Sequence, residues 1–467
     1  MTKRFSFLEG NITPTFFVHS IPVMLSMLFA SSAAIIDGWF VGKYIGEIGL
    51  ATVNIVGPIL NIMWGMNIML IVGSTVSMGK QLGAQKYEMS NYIFSKTLIG
   101  LCVANIVFSI VAVCFQDSIL KFVGATPEVL EAAKDYYFYI IVFTILYGIN
   151  LALSYFIRLE GRTTFVAFAL VIFVIFNIIL DYIFIAYMGL GMKGAAWGTS
   201  FAELASTIFL LTHYLNKKSV VKFSFKLKRW RRLLRSCYSG FSELVTESSI
   251  GLLAMLFNIA LIKYTSINGV VAFTIVNYLL LVQYTMVTAI GDTLQPILSI
   301  NFGRQRWDRV MGFILRAFGF SFAIGIVFAL ILFFGAEYVA DYFLKENSPE
   351  TLSILRKFAN VFWIAFLFNG ITMNIATFFV ATGRSKYAVT VSSLAGIVCP
   401  LLAIKLLPLI FGENGIYWAL PISQATSFII ATSFFYFYRQ KDVEFLMDKS
   451  KRKILESFIK GNMLAEK

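Results

Sequence analysis

The stretch GRTTFVAFALVIFVIFNIILDYIFIAYMGLGMKGAAWGTSFAE, residues 161–203, contains a long apolar run that is interrupted by Asn177 and Asp181. These two polar residues are four positions apart, so a helix places them on one face. The run is apolar enough to lie within lipid, where an ionisable side chain indicates a functional site. A second copy of the stretch lies near the C-terminus and lacks the aspartate. We therefore expect the functional site in the first copy.

The whole chain is far more apolar than a soluble domain. Of its 467 residues 58% are hydrophobic and 14% are charged, against about 45–50% apolar residues in soluble domains. Twelve apolar segments are long enough for a spanning helix of about 20 residues, and they lack the short alternating pattern of barrel strands. The predicted spans are residues 14–41, 51–78, 92–115, 135–157, 164–188, 193–213, 238–263, 269–298, 310–334, 354–381, 387–411 and 414–438. The chain is predicted to be an all-α polytopic membrane protein with twelve transmembrane helices.

The net charge of +14 is concentrated in one loop. Nine basic residues and no acid lie between Tyr214 and Ser236: Lys217, Lys218, Lys222, Lys226, Lys228, Arg229, Arg231, Arg232 and Arg235. Because this loop joins two spans, we interpret it as a cytoplasmic topology signal rather than a nucleic-acid site, with some attraction to anionic lipid. Both termini are then also cytoplasmic. The short loops favour a bacterial inner membrane.

Cysteine and histidine usage argues against a metal centre or an enzyme. The four cysteines show no paired spacing, and only His19 and His213 are present. An integral-membrane enzyme could use Asp37 and Asp181 as an acid/base pair or as metal ligands, but it would be expected to carry a histidine or a loop motif at the membrane face. We expect no enzyme activity, no cofactor and no nucleic-acid partner, and a chain that functions as a monomer in the lipid bilayer.

The two halves of the chain repeat at an offset of roughly 220 residues. FIRLEGR, ending at Arg162, matches FVATGR, ending at Arg384, and GAAWG at 194–198 matches GIYWA at 415–419. Six spans per unit give both copies the same orientation, which is a parallel repeat of two six-helix lobes. The predicted domains are an N-terminal lobe (1–213), a basic cytoplasmic linker (214–236), a C-terminal lobe (237–438) and a cytoplasmic tail (439–467).

The repeat also serves as an internal comparison. Four polar residues of the first half have counterparts 221 or 222 positions later: Asp37 falls on Asn258, Asn177 on Cys399, Asp181 on Ala403, and Thr199 on Leu420. Asn258 keeps an amide but loses the charge, and the other three counterparts lose the charge or the oxygen ligand. Residues that served only the scaffold would be expected in both copies, so the asymmetry favours one site in the N-terminal lobe. Two carboxylates, an amide and a hydroxyl suit a proton or a small cation such as sodium. The alternative is that both aspartates are structural and are satisfied by helix-end amides or by water.

Polar and aromatic stripes on three other segments are candidates for a substrate cavity. Their members are Asn54, Asn61, Trp64, Tyr147, Asn150, Ser154, Glu243, Glu247 and Asn258. Such stripes are typical of helix packing with polar cross-links and equally of the lining of a central cavity. A position near the cytoplasmic interface would also explain Glu243 and Glu247.

The motifs together resemble one family of membrane transporters. DGWFVG at 37–42, RLEGR at 158–162, Asn177-x-x-x-Asp181 and GAAWGT at 194–199, set in a six-plus-six repeat, are similar to the multidrug and toxic compound extrusion (MATE) family over essentially the whole chain. The resemblance implies an antiporter that exports organic, often cationic, compounds in exchange for inward protons or sodium, by alternating access of two lobes.

The resemblance also implies that Asp37, Asn177, Asp181 and Thr199 form the coupling-cation site. One branch of the family has a further acid where this chain has Asn258, and another acid on the tenth helix, where residues 354–381 contain none. The chain therefore looks closer to the branch whose coupling site is in the N-terminal lobe. The alternative function is a flippase or exporter of a lipid-linked or amphipathic substrate on a related two-lobe fold.

Overall fold

A computed structural model describes residues 7–215, 219–224, 231–265, 267–343 and 349–465. Five basic residues of the predicted linker lie outside the described residues, namely Lys217, Lys218, Lys226, Lys228 and Arg229. The first six residues of the predicted N-terminal lobe and the last two of the predicted tail also lie outside them.

The described residues form helices and contain no strand. The helices are α1 (Ile12–Tyr44), α2 (Glu47–Gly83), α3 (Tyr87–Cys114), α4 (Gln116–Phe122), α5 (Pro127–Val142), α6 (Thr144–Leu159), α7 (Thr163–Asp181), α8 (Gly191–Leu215), α9 (Arg231–Thr265), α10 (Ile267–Gly303), α11 (Trp307–Phe343), α12 (Pro349–Thr382), α13 (Ser385–Ser393), α14 (Cys399–Phe411) and α15 (Glu413–Ala465). Thus α8 and α9 overlap both ends of the predicted linker, and α15 continues through the predicted tail.

Each of the twelve predicted segments coincides with one helix or with a broken helix. By length and composition, ten of the described helices can cross a membrane, or eleven if the pair α5 and α6, bent by 45° at Phe143, is one span. The prediction of twelve therefore exceeds this number by one. The predicted span that is not counted is α8. It has 25 residues, but Lys193, Glu203 and several small residues make it less apolar.

Two spans contain π-helical turns. Tyr182–Tyr187 continues α7 directly after Asp181, and Leu394–Val398 joins α13 to α14. A π-helical turn shifts the register of the following side chains and frequently lies at a functional site. Both turns lie beside the sites described below.

The two lobes, α1–α8 and α9–α15, meet at one end of the bundle. We call this the linker end, because α1 begins, α2 ends and α9 begins there. A Cβ on Gly73 of α2 would overlap the Ser236 carbonyl oxygen of α9, and a Cβ on Gly240 would overlap the Met69 carbonyl. Only glycine allows two helix backbones to approach this closely. The lobes are therefore closed against each other at the linker end.

The buried apolar residues form two clusters. The larger one joins the C-terminal lobe to the linker half of the N-terminal lobe. The smaller one lies in the opposite half of the N-terminal lobe and includes Phe40, Val56, Tyr136 and Ile185. This far half of the N-terminal lobe thus has a core of its own.

Part of the linker is attached to the N-terminal lobe. The buried carboxylate of Glu160 accepts hydrogen bonds from the Ser219 hydroxyl at 2.8 Å and from the backbone amides of Val220 and Val221 at 3.1 and 3.0 Å. Its second oxygen lies 2.9 Å from Nε2 of His213. Glu160 therefore holds residues 219–221 against the end of α6.

Candidate functional site

The two aspartates singled out by the sequence lie together in the N-terminal lobe. The Asp37 and Asp181 carboxyl groups lie close enough to interact electrostatically. They come from neighbouring helices, because α1 packs along α7. Asp181 is fully buried, whereas Asp37 is partly exposed. The structure thus forms a carboxyl pair from residues 144 positions apart.

This pair lacks hydrogen-bond donors. Oδ1 of Asp37 and both carboxylate oxygens of Asp181 have no donor among the described residues. An ionised carboxylate only accepts hydrogen bonds, so two of them in contact cannot satisfy each other. Each buried acceptor without a donor costs roughly 1–3 kcal/mol. A proton or a small cation is the kind of group that can supply the missing partner of such oxygens.

Helix α8 completes one side of the pair. Gly198 lies directly against Asp181, since a Cβ there would overlap Oδ1 of the carboxylate. The neighbouring Thr199 donates its hydroxyl to the Ala195 carbonyl at 3.2 Å, which leaves its oxygen able to accept or to bind a cation. Asn177 is buried one turn before Asp181 on α7. Direct contact is thus shown between Gly198 and Asp181. Asn177 shares the helix face of Asp181, whereas Thr199 only follows Gly198 in the chain, so their part in the site stays a prediction.

Two residues at the pair were missed in the sequence. Gly198 falls on Ala419 at the repeat offset of 221, so the glycine is present only in the copy that has the aspartate. The same comparison that identified Asp181 could have identified it. Tyr136 of α5, which is buried in the far cluster, lies within electrostatic range of both aspartates. No sequence motif pointed to Tyr136.

The candidate stripes on α2 and α6 face each other. The rings of Trp64 and Tyr147 are 5.2 Å apart, and the Tyr147 hydroxyl is buried without a hydrogen-bond partner among the described residues. Asn54 and Asn61 are exposed on the half of α2 that points away from the linker end. Exposed amides within a span indicate water rather than lipid. Their exposure is what the lining of a water-filled cleft would require.

The other candidates on α6 turn inwards. Asn150 donates its amide to Oγ1 of Thr207 at 3.2 Å, and Ser154 is buried. Asn150 therefore links α6 to α8, and Ser154 faces the packed interior. A further acid, Glu203 of α8, lies within electrostatic range of Tyr147 and was also missed in the sequence.

The C-terminal lobe contains a cavity of about 390 Å³. Its walls are mainly apolar and come from α9, α10, α12, α13 and α15, with Gly396 of the second π-helical turn among them. Glu243 is the acid in its lining, whereas Asn258 lies next to the lining residue Phe257 and outside the set that lines the cavity. A volume of this size suits a small organic molecule.

A smaller cavity of about 50 Å³ lies where α2 meets α9, α10 and α12. Glu243, Glu247 and Asp292 line it, and the Tyr284 hydroxyl donates to Oε1 of Glu247 at 3.2 Å. Glu243 and Glu247 therefore line an internal cavity rather than the outer surface of the bundle. Within the described ranges, no group of three or more histidine, cysteine, aspartate or glutamate residues has the arrangement of a metal site.

A multi-pass helical protein of two lobes, with a buried carboxyl pair in one lobe and a drug-sized cavity in the other, has the organisation of a membrane transporter. The MatE family model matches residues 22–183 and 243–404, two copies whose starts are 221 residues apart. The chain belongs to the MatE family, whose members are transporters and not enzymes. The two matches also confirm the predicted repeat.

Curated relatives are similar along nearly the whole chain. The multidrug export protein MepA of Staphylococcus aureus (strain bovine RF122 / ET3-1) is 25% identical over 435 residues, which cover 90% of this chain and 93% of the relative. The protein of the same name from Staphylococcus haemolyticus is 22% identical, with 94% and 96% covered.

Solved structures share the fold. A MOP superfamily transporter from Pyrococcus furiosus matches with a TM-score of 0.86 and 19% identity, covering 94% of this chain and 98% of the other. The Vibrio cholerae MATE transporter VcmN in its bent form matches with a TM-score of 0.84 and 19% identity, covering 93% and 97%. These matches confirm the all-α architecture.

Proposed function

We propose that the chain is an antiporter that exports organic, often cationic, compounds in exchange for protons or sodium moving inwards. The observation that carries the proposal is the Asp37–Asp181 pair, whose buried oxygens lack donors and which has no counterpart in the second lobe. Asn177 and Thr199 are the further ligands of the coupling cation. The MepA relatives, named as multidrug exporters, support the substrate class.

The proposed cycle is alternating access of the two lobes. Here the lobes meet at the linker end, and the exposed Asn54, Asn61 and Trp64 support a cleft at the other end. The basic linker favours a cytoplasmic linker end, so this conformation faces outwards, with both termini cytoplasmic in the bacterial inner membrane. The coupling cation would enter through the cleft and reach the aspartate pair. The unit of function that we propose is one chain, with lobes at 1–213 and 237–438, a linker at 214–236 and a tail at 439–467.

The free energy released by one coupling ion limits how far the substrate can be accumulated. One charge crossing about 100 mV releases roughly 2.3 kcal/mol, and a tenfold gradient adds about 1.4 kcal/mol. Together these allow several-hundred-fold accumulation of a neutral substrate. A monovalent cationic substrate cancels the electrical contribution, so its strong export needs a second ion.

The flippase alternative receives no support from the cavity. A pocket for a lipid-linked phosphate would need basic side chains, and the ionisable groups among the described lining residues are Glu243 and Tyr284, with no lysine or arginine. An acidic, mainly apolar pocket instead suits an organic cation.

The proposal is tested by efflux of the cationic dye ethidium from vesicles. Wild type, Asp37→Asn and Asp181→Asn are compared under sodium and proton gradients imposed separately. Asp135→Asn is the matched control, because Asp135 forms an exposed ion pair with Lys193 at 3.4 Å. We expect gradient-driven efflux by the wild type and the control, and none by the two site variants at equal membrane abundance. Equal efflux by all four proteins would refute the coupling site, and efflux under only one gradient would identify the ion.

A further inference from the structure

One buried ion pair joins the two lobes. Nη1 of Arg158, on α6, lies 2.7 Å from Oδ2 of Asp292, on α10, with side-chain exposures of 7% and 13%. The Tyr155 hydroxyl donates to the other oxygen of Asp292 at 2.8 Å. Both carboxylate oxygens of Asp292 are therefore occupied by groups from the opposite lobe.

Asp292 belongs to an acidic group in the C-terminal lobe. Glu243 lies within electrostatic range of both Asp292 and Glu247, and all three line the smaller cavity. Two residues that line this cavity have amide oxygens that are buried without a hydrogen-bond donor among the described residues: Oε1 of Gln295 and Oδ1 of Asn374. The cavity thus presents acceptors to a positively charged group, and Arg158 is the cation that contacts it in this conformation.

The acidic group is continuous with the apolar cavity. Glu243, Thr246, Tyr284, Met373 and Thr377 line both the smaller and the larger cavity. Phenylalanine rings at 257, 273 and 362 line the larger one. A molecule with a charged head and an aromatic or aliphatic body would therefore place its head among the carboxylates and its body among these rings.

We propose that Glu243, Glu247 and Asp292 bind the positively charged head of an organic cation, and that Arg158 is an internal cation that displaces this head when the linker end closes. The inference rests on the proposed export function and specifies its substrate class and its release step. Arg158 and Asp292 are then specificity-determining residues as well as an inter-lobe contact.

The geometry of the lobes explains the displacement. Opening of the linker end must separate α6 from α10, which removes both Arg158 and Tyr155 from Asp292. Carboxylates left without a counter-ion in a poorly hydrated site are costly, so a substrate cation from that side is bound in place of the arginine. Closure returns the guanidinium to Asp292, and like-charge repulsion then weakens substrate binding. The substrate is released through the cleft at the other end.

The experiment is equilibrium binding by the purified full-length protein in detergent, with no ion gradient. The probes are the fluorescent cation dimethylaminostyryl-methylpyridinium and its uncharged stilbene analogue. Arg158→Gln removes the internal cation, Asp292→Asn removes its carboxylate, and Arg158→Lys keeps the charge. Arg162→Gln is the matched control, because Arg162 lies 3.2 Å from His213 within the N-terminal lobe.

We expect Arg158→Gln to lower the Kd of the cationic probe by about tenfold or more, and Asp292→Asn to raise it. Arg158→Lys, which keeps the charge, should lower the Kd less than Arg158→Gln does. Arg162→Gln should stay near the wild-type value, and the Kd of the stilbene should not change. An unchanged or higher Kd in Arg158→Gln overturns the inference, as does lack of measurable binding in both wild type and Arg158→Gln.

If Arg158→Gln does not elute as a folded protein, the inference is tested by comparing the Kd of the cationic probe for Asp292→Asn with its Kd for Arg162→Gln. A Kd raised only in Asp292→Asn supports the inference, and equal Kd values overturn it. Because no gradient is present, these results are independent of the ion-driven efflux that tests the proposed function. An experiment that refutes ion coupling at Asp37 can therefore be distinguished from one that refutes the role of Arg158 as an internal cation.

Discussion

Gly198 of α8 lies so close to Asp181 of α7 that a Cβ atom on the glycine would overlap Oδ1 of the carboxylate. The contact explains why a small residue is needed beside the aspartate pair. It also fixes the side of Asp181 that faces α8, and so directs the carboxyl group towards Asp37.

Gly198→Ala is expected to displace Asp181 and to reduce ion-driven ethidium efflux by about tenfold or more, because small misplacements of a reacting group have large effects on rate. The measurement is efflux at equal protein abundance in vesicles. Gly38→Ala is the matched control, since Gly38 adjoins Asp37 on α1 but has open space around a Cβ. Equal efflux by both variants would show that the Gly198 contact is not needed.

Asp181→Asn is expected to stabilise the folded protein while it abolishes coupling. The asparagine amide can donate to Asp37, which removes part of a cost of roughly 1–3 kcal/mol for each buried acceptor without a donor. The apparent melting temperature of the purified protein should therefore rise. Asp135→Asn should leave it nearly unchanged, because exposed ion pairs contribute little. A lower melting temperature in Asp181→Asn would mean that the carboxylate already has a partner.

Gly73→Ala is expected to prevent the lobes from closing at the linker end, because the new methyl group would overlap the Ser236 carbonyl of α9. Spin labels at positions 86 and 306, which are exposed at the ends of the two lobes, report the separation of the lobes in a background without the four native cysteines. The distance distribution should shift to longer values. Gly319→Ala, where a Cβ meets open space, should not shift it. An unchanged distribution in Gly73→Ala would indicate that the crossing can relax locally.

Glu160→Ala is expected to release the attached part of the linker. Hydrogen exchange at the amides of Val220 and Val221 should accelerate, since both donate to the Glu160 carboxylate. Glu88→Gln is the control, because Glu88 accepts a hydrogen bond from Tyr92 on its own helix. Exchange rates that are equal in the two variants would show that the neighbouring chain, rather than Glu160, protects these amides.

Comparison of the repeats drew attention to both aspartates without a structure, whereas the roles of Asn177 and Thr199 stay predictions. Asp37, Asp181, Asn177 and Thr199 stood out because their counterparts lack the charge or oxygen ligand. Gly198 follows from the same comparison once its contact is known. Tyr136 could not have been found in this way, because it is one of several tyrosines in α5 and only packing selects it.

The positions of the ionisable residues around the C-terminal lobe were predicted less well. Glu243 and Glu247 were visible as acids near the start of a span, which fits an interfacial position as well as an internal one. Arg158 was part of a loop motif, and Asp292 was not singled out. Their 2.7 Å ion pair joins residues 134 positions apart, a distance along the chain over which helical periodicity carries no information.

The sequence alone determined the membrane class, the position of the apolar segments, the parallel repeat and the difference between its two copies, because hydrophobicity and internal similarity are properties of the chain itself. Tertiary structure decided which ionisable residues meet: Asp37 with Asp181 inside one lobe, and Asp292 with Arg158 between lobes. The physical reason is that helix periodicity defines the face on which a residue lies, whereas the rotation and approach of neighbouring helices depend on close contacts, such as those of Gly73 and Gly198, that form only when the helices pack.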